Sequence, residues 1–267
     1  MNAATELIRY RGLLATLVAR ELKARYRGSA LGFVWSLLNP LLLLGVYSFV
    51  FGYVFVQERT SLADPYALFL ITGLFPWVWV STALVEGTVS LSANAGLIRK
   101  AVFPVELLPI VPVLANLVHF LFALPVIAAA LGIGRYLGKP VSGPEALLLP
   151  LVVVVQLPLV SGLALGLAAL NVHFKDVRDL LINVLQLLFF LTPILYPLEW
   201  VGFPVLATLI RWANPFTPFT LAYQELLFRG ALPAPQVWVH MAAWSALCLA
   251  AGAWLFGRLR SSLVEAV

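Results

Sequence analysis

Long stretches of this chain show no polar period at all. From Gly28 to Gln57 there is no Asp, Glu, Lys, Arg or His, and that length exceeds the ~20 apolar residues that cross a bilayer core as a helix. Taken as 31–56, it is the first of six apolar runs. The others lie at 66–91, 106–133, 146–170, 180–198 and 236–257, and the pattern predicts six transmembrane helices. Residues 1–28 read differently. Leu7, Tyr10, Leu14, Leu17 and Val18 fall on one helical face, with Arg9, Thr16, Arg20, Lys23 and Arg27 on the other. Such a helix suits the headgroup plane of the cytoplasmic leaflet or the surface of a partner protein. Between 197 and 235, Pro197, Pro204, Pro215, Pro218, Pro233 and Pro235 interrupt a segment still rich in Phe, Leu and Trp. Broken, re-entrant helices on the outer side are expected there, buried in protein where irregular backbone is tolerated at membrane depth.

Composition agrees with this pattern. Of 267 residues, 62% are hydrophobic and 11% charged, against about 45–50% and about 25% in soluble domains. The mean hydropathy is +0.97. The expected fold class is an all-α polytopic membrane protein with one domain, 1–267, and no soluble module or internal repeat. The net charge of +5 and the pI near 9.6 reflect the Lys/Arg excess of cytoplasmic loops rather than a nucleic-acid interface. Of the 17 Lys and Arg residues, six crossings leave Arg59, Arg135, Lys139, Arg211 and Arg229 outside and the rest inside. That bias predicts N-in and C-in. Cys248 is the only cysteine, so no intrachain disulfide is possible. No apolar stretch precedes the first charges, so a cleavable signal peptide is not expected.

Catalytic patterns are missing. The segment Gly132 to Pro140 misses the phosphate-loop spacing by one position and has Pro after Lys139. His119, His173 and His240 have no metal-ligand spacing. There is no Gly-x-Ser-x-Gly, and no acidic pair in an apolar run of the kind a proton relay needs. In the loop 92–105, Leu97, Ile98, Ala101 and Val102 form an apolar face beside Arg99 and Lys100. This suits either a single-turn helix pressed into a groove on another protein or an ordinary positive-inside loop.

In order, the chain contains Arg25-Tyr-Arg-Gly-Ser-x-Leu-Gly-x-x-Trp35-x-x-Leu-Asn39-Pro40, Val46-Tyr-x-Phe-Val-Phe51, Gly73-Leu-x-Pro-Trp77, Asn94-x-x-Leu-Ile-Arg-Lys100, Phe103-Pro104, Phe174-Lys-Asp176, Pro193-Ile-x-Tyr-Pro197 and Asn214-Pro215. This set resembles the ABC-2 type permeases of cell-surface polysaccharide exporters over nearly the whole chain. The resemblance implies a homodimer in the bacterial inner membrane, with two copies of an ABC ATPase subunit on the cytoplasmic side. ATP and Mg would be bound by that partner, and no cofactor by this chain. The implied cargo is a glycan such as O antigen, capsule or teichoic acid on an undecaprenyl diphosphate carrier. Residues 1–28 would be the interfacial helix. Residues 92–105, with Asn94, Leu97, Ile98, Arg99, Lys100, Phe103 and Pro104, would be the coupling loop to the ATPase. The segment 197–235, with Tyr196, Pro197, Asn214 and Pro215, would be the outer gate.

Several side chains gain a role in that setting. Trp35, Tyr47, Phe51, Phe75, Trp77 and Trp79 can stack on sugar faces along a path, or anchor and pack in the membrane as most aromatics there do. Glu86 is a costly charge at membrane depth unless it lies close enough to the cytoplasmic end to meet water. Arg20, Lys23, Arg25 and Arg27 at the cytoplasmic entrance suit phosphate oxygens, either of a diphosphate head group or of anionic membrane lipid in general. A lipid or drug permease and a polytopic enzyme acting on polyprenyl-linked sugars are the competing readings.

Overall fold

Within lipid a chain must satisfy its backbone groups inside its own segments, so apolar runs become helices. The computed structural model describes residues 10–28, 31–54, 65–100, 104–139, 141 and 143–266, and among them all regular structure is helical. Helix α1 (Arg11–Arg25) precedes a turn at Gly28, whose φ of +82° is a left-handed value that glycine adopts without a Cβ penalty. The first apolar segment, Gly32–Gly52, contains α2 (Trp35–Phe49) between a 3₁₀ turn and a π-type turn. Then come α3 (Tyr66–Ala93), α4 (Ala95–Lys100), α5 (Leu107–Tyr136), α6 (Leu149–His173) and α7 (Val177–Leu191). Helices α8 (Pro204–Ala213) and α9 (Thr217–Tyr223) lead through a π-type turn to α10 (Pro235–Ala266).

Among the described residues, five segments are long and apolar enough to cross a membrane: Gly32–Gly52, Tyr66–Ala93, Leu107–Tyr136, Pro144–His173 and Pro235–Arg260. The run predicted at 180–198 is different. Its helix, α7, has 15 residues, about 22 Å at 1.5 Å per residue and short of the ~30 Å hydrocarbon core. Thr192 adopts an extended conformation, and Pro193 and Pro197 prevent the helix from continuing.

Helix α3 is the axis of the bundle, contacting α2, α5, α6, α7 and α9. Phe69, Leu70, Leu74 and Leu84 along it are fully covered. Lipid tails are as apolar as leucine, so close packing and hydrogen bonds hold such helices together. The pair α6 and α10 shows this best. A Cβ on Gly162 would lie 2.3 Å from the Cys248 carbonyl oxygen, and one on Gly252 only 1.8 Å from that of Gly162. Ser245 Oγ adds a bond to the Val155 carbonyl at 2.6 Å. Gly87 likewise lets α3 approach Ala164 of α6. At one end of the bundle, called here the basic end, Arg260 pairs with Glu106 at 2.8 Å. At the far end, Tyr66 donates to the Leu195 carbonyl and Gln224 to that of Pro193.

Candidate functional site: a charged cluster where three cavities meet

The apolar face read from the sequence of α1 has a partner in this same chain. Leu14, Leu17, Val18 and Leu22 pack with Val111 and Ala115 of α5. That docking brings the last residue of α1, Arg25, against the middle of the bundle. Its Nη2 donates to Glu86 Oε2 of α3, and its Nη1 to Asn116 Oδ1 of α5 at 2.9 Å. Asn116 completes the triangle, donating from Nδ2 to Glu86 Oε2 at 2.6 Å and to the Pro112 carbonyl at 2.9 Å. Asn116 is buried, while the Arg25 and Glu86 side chains keep 21% and 34% of their exposure. One step further, the Tyr26 hydroxyl bonds the His119 ring, which stacks on Phe33.

Three cavities meet at Glu86. One of about 430 Å³, bordered by Arg20, Arg25, Asn94 and Val111, opens toward the basic end. A second of about 400 Å³ lies beside the start of the first apolar segment, with Trp35, Ser36, Asn39 and His119 around it and Phe75 and Trp79 in its wall. The third, about 840 Å³, lies between α2, α3 and α7 and is lined by Tyr47, Trp77, Gln186, Phe189 and Phe190 among others. An ion pair therefore stands between a charged antechamber, in which Arg20 and Arg25 face Glu21 and Glu86, and a large aromatic cleft.

The predicted path residues fall into two groups. Trp35 and Phe51 are exposed and Tyr47 is half-buried, 5.6 Å from Phe189 between ring centres. Phe75, Trp77 and Trp79 are buried. Trp77 sits between Phe189 and Phe216, and Trp79 stacks on Phe120 while its Nε1 donates to the Val113 carbonyl. Of the basic entrance residues, Arg25 is in the ion pair, Arg20 donates to Asn94 Oδ1 at 3.4 Å, and Lys23 and Arg27 are exposed.

In the loop 92–105, Asn94 ends α3. Its side chain donates to the Ser90 carbonyl, and its own carbonyl receives the amides of Leu97 and Ile98 in α4. Leu97 and Ile98 are half-buried against a cluster containing Leu91, Leu108 and Phe256. Gly96 and Arg99 are exposed, and Pro104 is buried. Phe103 and the Lys100 side chain lie outside the described residues.

At the far end, Asn214 is buried. It donates to Thr192 Oγ1 at 2.9 Å and accepts from the Phe216 amide, which fixes the step from α8 to α9 past Pro215. Tyr196 donates to the Phe190 carbonyl, and Pro197 is buried just before the turn that carries Glu199. Arg229 joins Glu199 at 2.9 Å to Glu225 at 3.0 Å. Burial alone would raise the Glu199 carboxyl, but its backbone hydrogen bond and Arg229 outweigh that and lower it. Burial raises the Glu225 carboxyl, with Arg229 opposing.

Glu86 was visible in the sequence as a rare charge, but its partners were not. Asn116 and His119 had no local signal beyond being polar residues in an apolar run. A hydrogen-bonding residue at that depth is the cue available to a reader.

Residues 12–228 match the family model described as ABC-2 type transporter. The chain is 37% identical over 262 residues to an O-antigen export system permease protein of Myxococcus xanthus, covering 98% of each chain. It is 34% identical over 220 residues to one of Klebsiella pneumoniae, covering 82% of each. A polysialic acid transport protein of Escherichia coli is 25% identical over 190 residues, 68% of this chain and 69% of the other.

Proposed function

The chain belongs to the ABC-2 type transporter family, and from that premise we propose that it is the membrane subunit of an ATP-driven exporter of lipid-linked cell-surface polysaccharide, O antigen or a similar glycan. The observation that carries this reading is the 37% identity, over 98% of both chains, to an O-antigen export permease. The aromatic cleft between α2, α3 and α7 supports it, because flat rings beside polar groups such as Gln186 suit the two kinds of surface on a sugar.

In this reading the chain sits in the bacterial inner membrane with both termini inside, and α7 with the irregular residues after it completes a sixth crossing. Helices α8 and α9 re-enter from the outer side as a gate held by Asn214, with Tyr196, Pro197 and Pro215 at its joints. Two copies pair. The first apolar segment is only 6% buried over its spanning window, Val46 and Phe49 on it are exposed, and Leu180, Val184 and Leu187 of α7 are exposed as well, while Leu42 and Leu43 border the cleft. A second copy would enclose the cleft these helices flank. Two ATPase subunits bind ATP and Mg and engage α4 through Gly96, Arg99 and Lys100. The antechamber at Arg20 and Arg25, with Lys23 and Arg27 nearby, receives the undecaprenyl diphosphate end of the cargo.

The test is deletion in a cell that carries the gene, followed by measurement of glycan on both sides of the inner membrane. Surface polysaccharide should disappear while lipid-linked glycan accumulates inside, and the wild-type gene should restore export. Unchanged surface polysaccharide overturns the reading. ATP hydrolysis by the purified complex that responds to small hydrophobic compounds and not to glycan assigns it to lipid or drug transport instead.

A further inference from the structure

The ion pair at the meeting of the cavities is built to be exchanged. Arg25 is the last residue of α1, three positions before the turn at Gly28. Its contacts to Glu86 and Asn116 engage two of the five donors of a guanidinium. It also borders the antechamber, a charged cavity in which Arg20 and Arg25 face Glu21 and Glu86. Glu86 borders that antechamber and the aromatic cleft alike. Both side chains stay partly exposed. Asn116 is buried and anchored to the Pro112 carbonyl, so its amide can hold the carboxylate in place if the guanidinium turns away.

We propose that Glu86 is a resident stand-in for the phosphate of the cargo. It occupies Arg25 until a lipid diphosphate in the antechamber takes the guanidinium over, and the exchange opens the way from the antechamber to the aromatic cleft. A guanidinium pairs bidentately with phosphate at least as well as with carboxylate, so the exchange conserves charge pairing on Arg25. Glu86 is left with Asn116 and the water of the opened cavity. An unpaired carboxylate at this depth is costly, so the closed pair re-forms once the phosphate has passed. Glu86 is thus a specificity-determining residue, since a cargo without an anionic group cannot displace it. The inference rests on the exporter reading.

The experiment uses the full chain with its ATPase in phosphatidylcholine nanodiscs and measures equilibrium binding of radiolabelled undecaprenyl diphosphate. Glu86→Gln removes the competing charge and should bind about tenfold tighter than wild type, the size of one charge coupling. Arg25→Gln should bind about tenfold weaker, and Glu86→Gln should gain clearly less in the Arg25→Gln background than it does alone, because most of the effect of Glu86 runs through Arg25. If Glu86→Gln does not fold, Glu86→Asp, which draws the carboxylate back by one methylene, should also bind more tightly. Competition by inorganic pyrophosphate identifies the diphosphate itself as the displacing group. Loss of binding only in phosphatidylglycerol discs identifies bilayer phospholipid as the natural occupant, with the exchange intact. Folded Glu86→Gln that binds no tighter than wild type overturns the exchange, as does a gain from Glu86→Gln that is the same with and without Arg25. Either failure leaves the exporter reading standing, which falls only on the measurement of surface glycan.

Discussion

The crossing of α6 and α10 offers a perturbation whose size can be worked out beforehand. A Cβ at Gly252 would lie 1.8 Å from the Gly162 carbonyl oxygen, whereas a carbon and an oxygen in favourable contact sit about 3.3 Å apart. Gly252→Ala must therefore separate the helices locally by about 1.5 Å. The obstacle is backbone within a helix, so no side chain can rotate out of the way. A gap half that wide already forfeits a quarter to a half of the dispersion energy of the atoms around it. Overpacking of this kind costs roughly 3 kcal/mol. In a chain of this size that corresponds to an apparent Tm lowered by roughly 6–12 °C. Thermal unfolding in detergent followed by tryptophan fluorescence reads this directly, since Trp244 and Trp254 lie on α10. The control is Gly132→Ala in α5, where a Cβ meets nothing within 4 Å and helix propensity alone adds up to about 1 kcal/mol. If Gly252→Ala melts within about 2 °C of that control, the helices do not cross as closely as described and the reasoning fails.

Three further outcomes follow from other parts of the fold. Gly96 on α4 is exposed and has open space around it, so Gly96→Ala should keep ATPase coupling, while Gly96→Trp should abolish glycan-stimulated ATP hydrolysis in the purified complex without changing its Tm. Asn214→Ala should lower the apparent Tm by an amount corresponding to about 1–3 kcal/mol because the buried Phe216 amide and Thr192 hydroxyl lose their partner; Asn214→Ala combined with Thr192→Val should cost less than the sum of the two. At the far end, the lowered Glu199 carboxyl contributes stability that is present above the unfolded carboxylate range and is lost as pH falls through its lower folded value. Glu225, raised by burial, works in the opposite sense and favours the fold as it protonates. A Tm-against-pH profile should therefore show Arg229→Gln with a lower Tm near neutral pH and a smaller acid-side loss than wild type, because burial then acts on both carboxyls unopposed by Arg229, and Glu225→Gln losing the acid-side gain.

The apolar runs were legible because a spanning helix needs length and little else, and five of them are helices of that size. In the run at 180–198 hydropathy continues past Leu191 although Thr192 and Pro193 end the helix, because composition registers lipid compatibility and does not register a backbone break. The face of α1 could be read from the spacing of Leu14, Leu17 and Val18, but its target on α5 could not. Nothing local encodes that Val111 and Ala115 will be there. Rings on one apolar helix look alike in sequence, yet on α3 Trp77 borders the large cleft while Trp79 is stacked against Phe120. Glu86 stood out by its charge alone. Its pairing with Arg25, 61 positions away, emerges only once α1, α3 and α5 have been packed together.

The bond from Arg25 to Asn116 also has a consequence for how the protein is made. The two residues are separated by 91 positions, so at ribosomal speeds about 5–18 s pass between their synthesis. During that interval Arg25 has neither of its final partners for most of the time, and it follows that the nascent N-terminal segment waits at the membrane surface with its charges in the headgroups. Docking of α1 is thus a late step that becomes possible only after the third apolar segment has begun to insert, and it reports that two separately inserted helices and a surface helix have found one another.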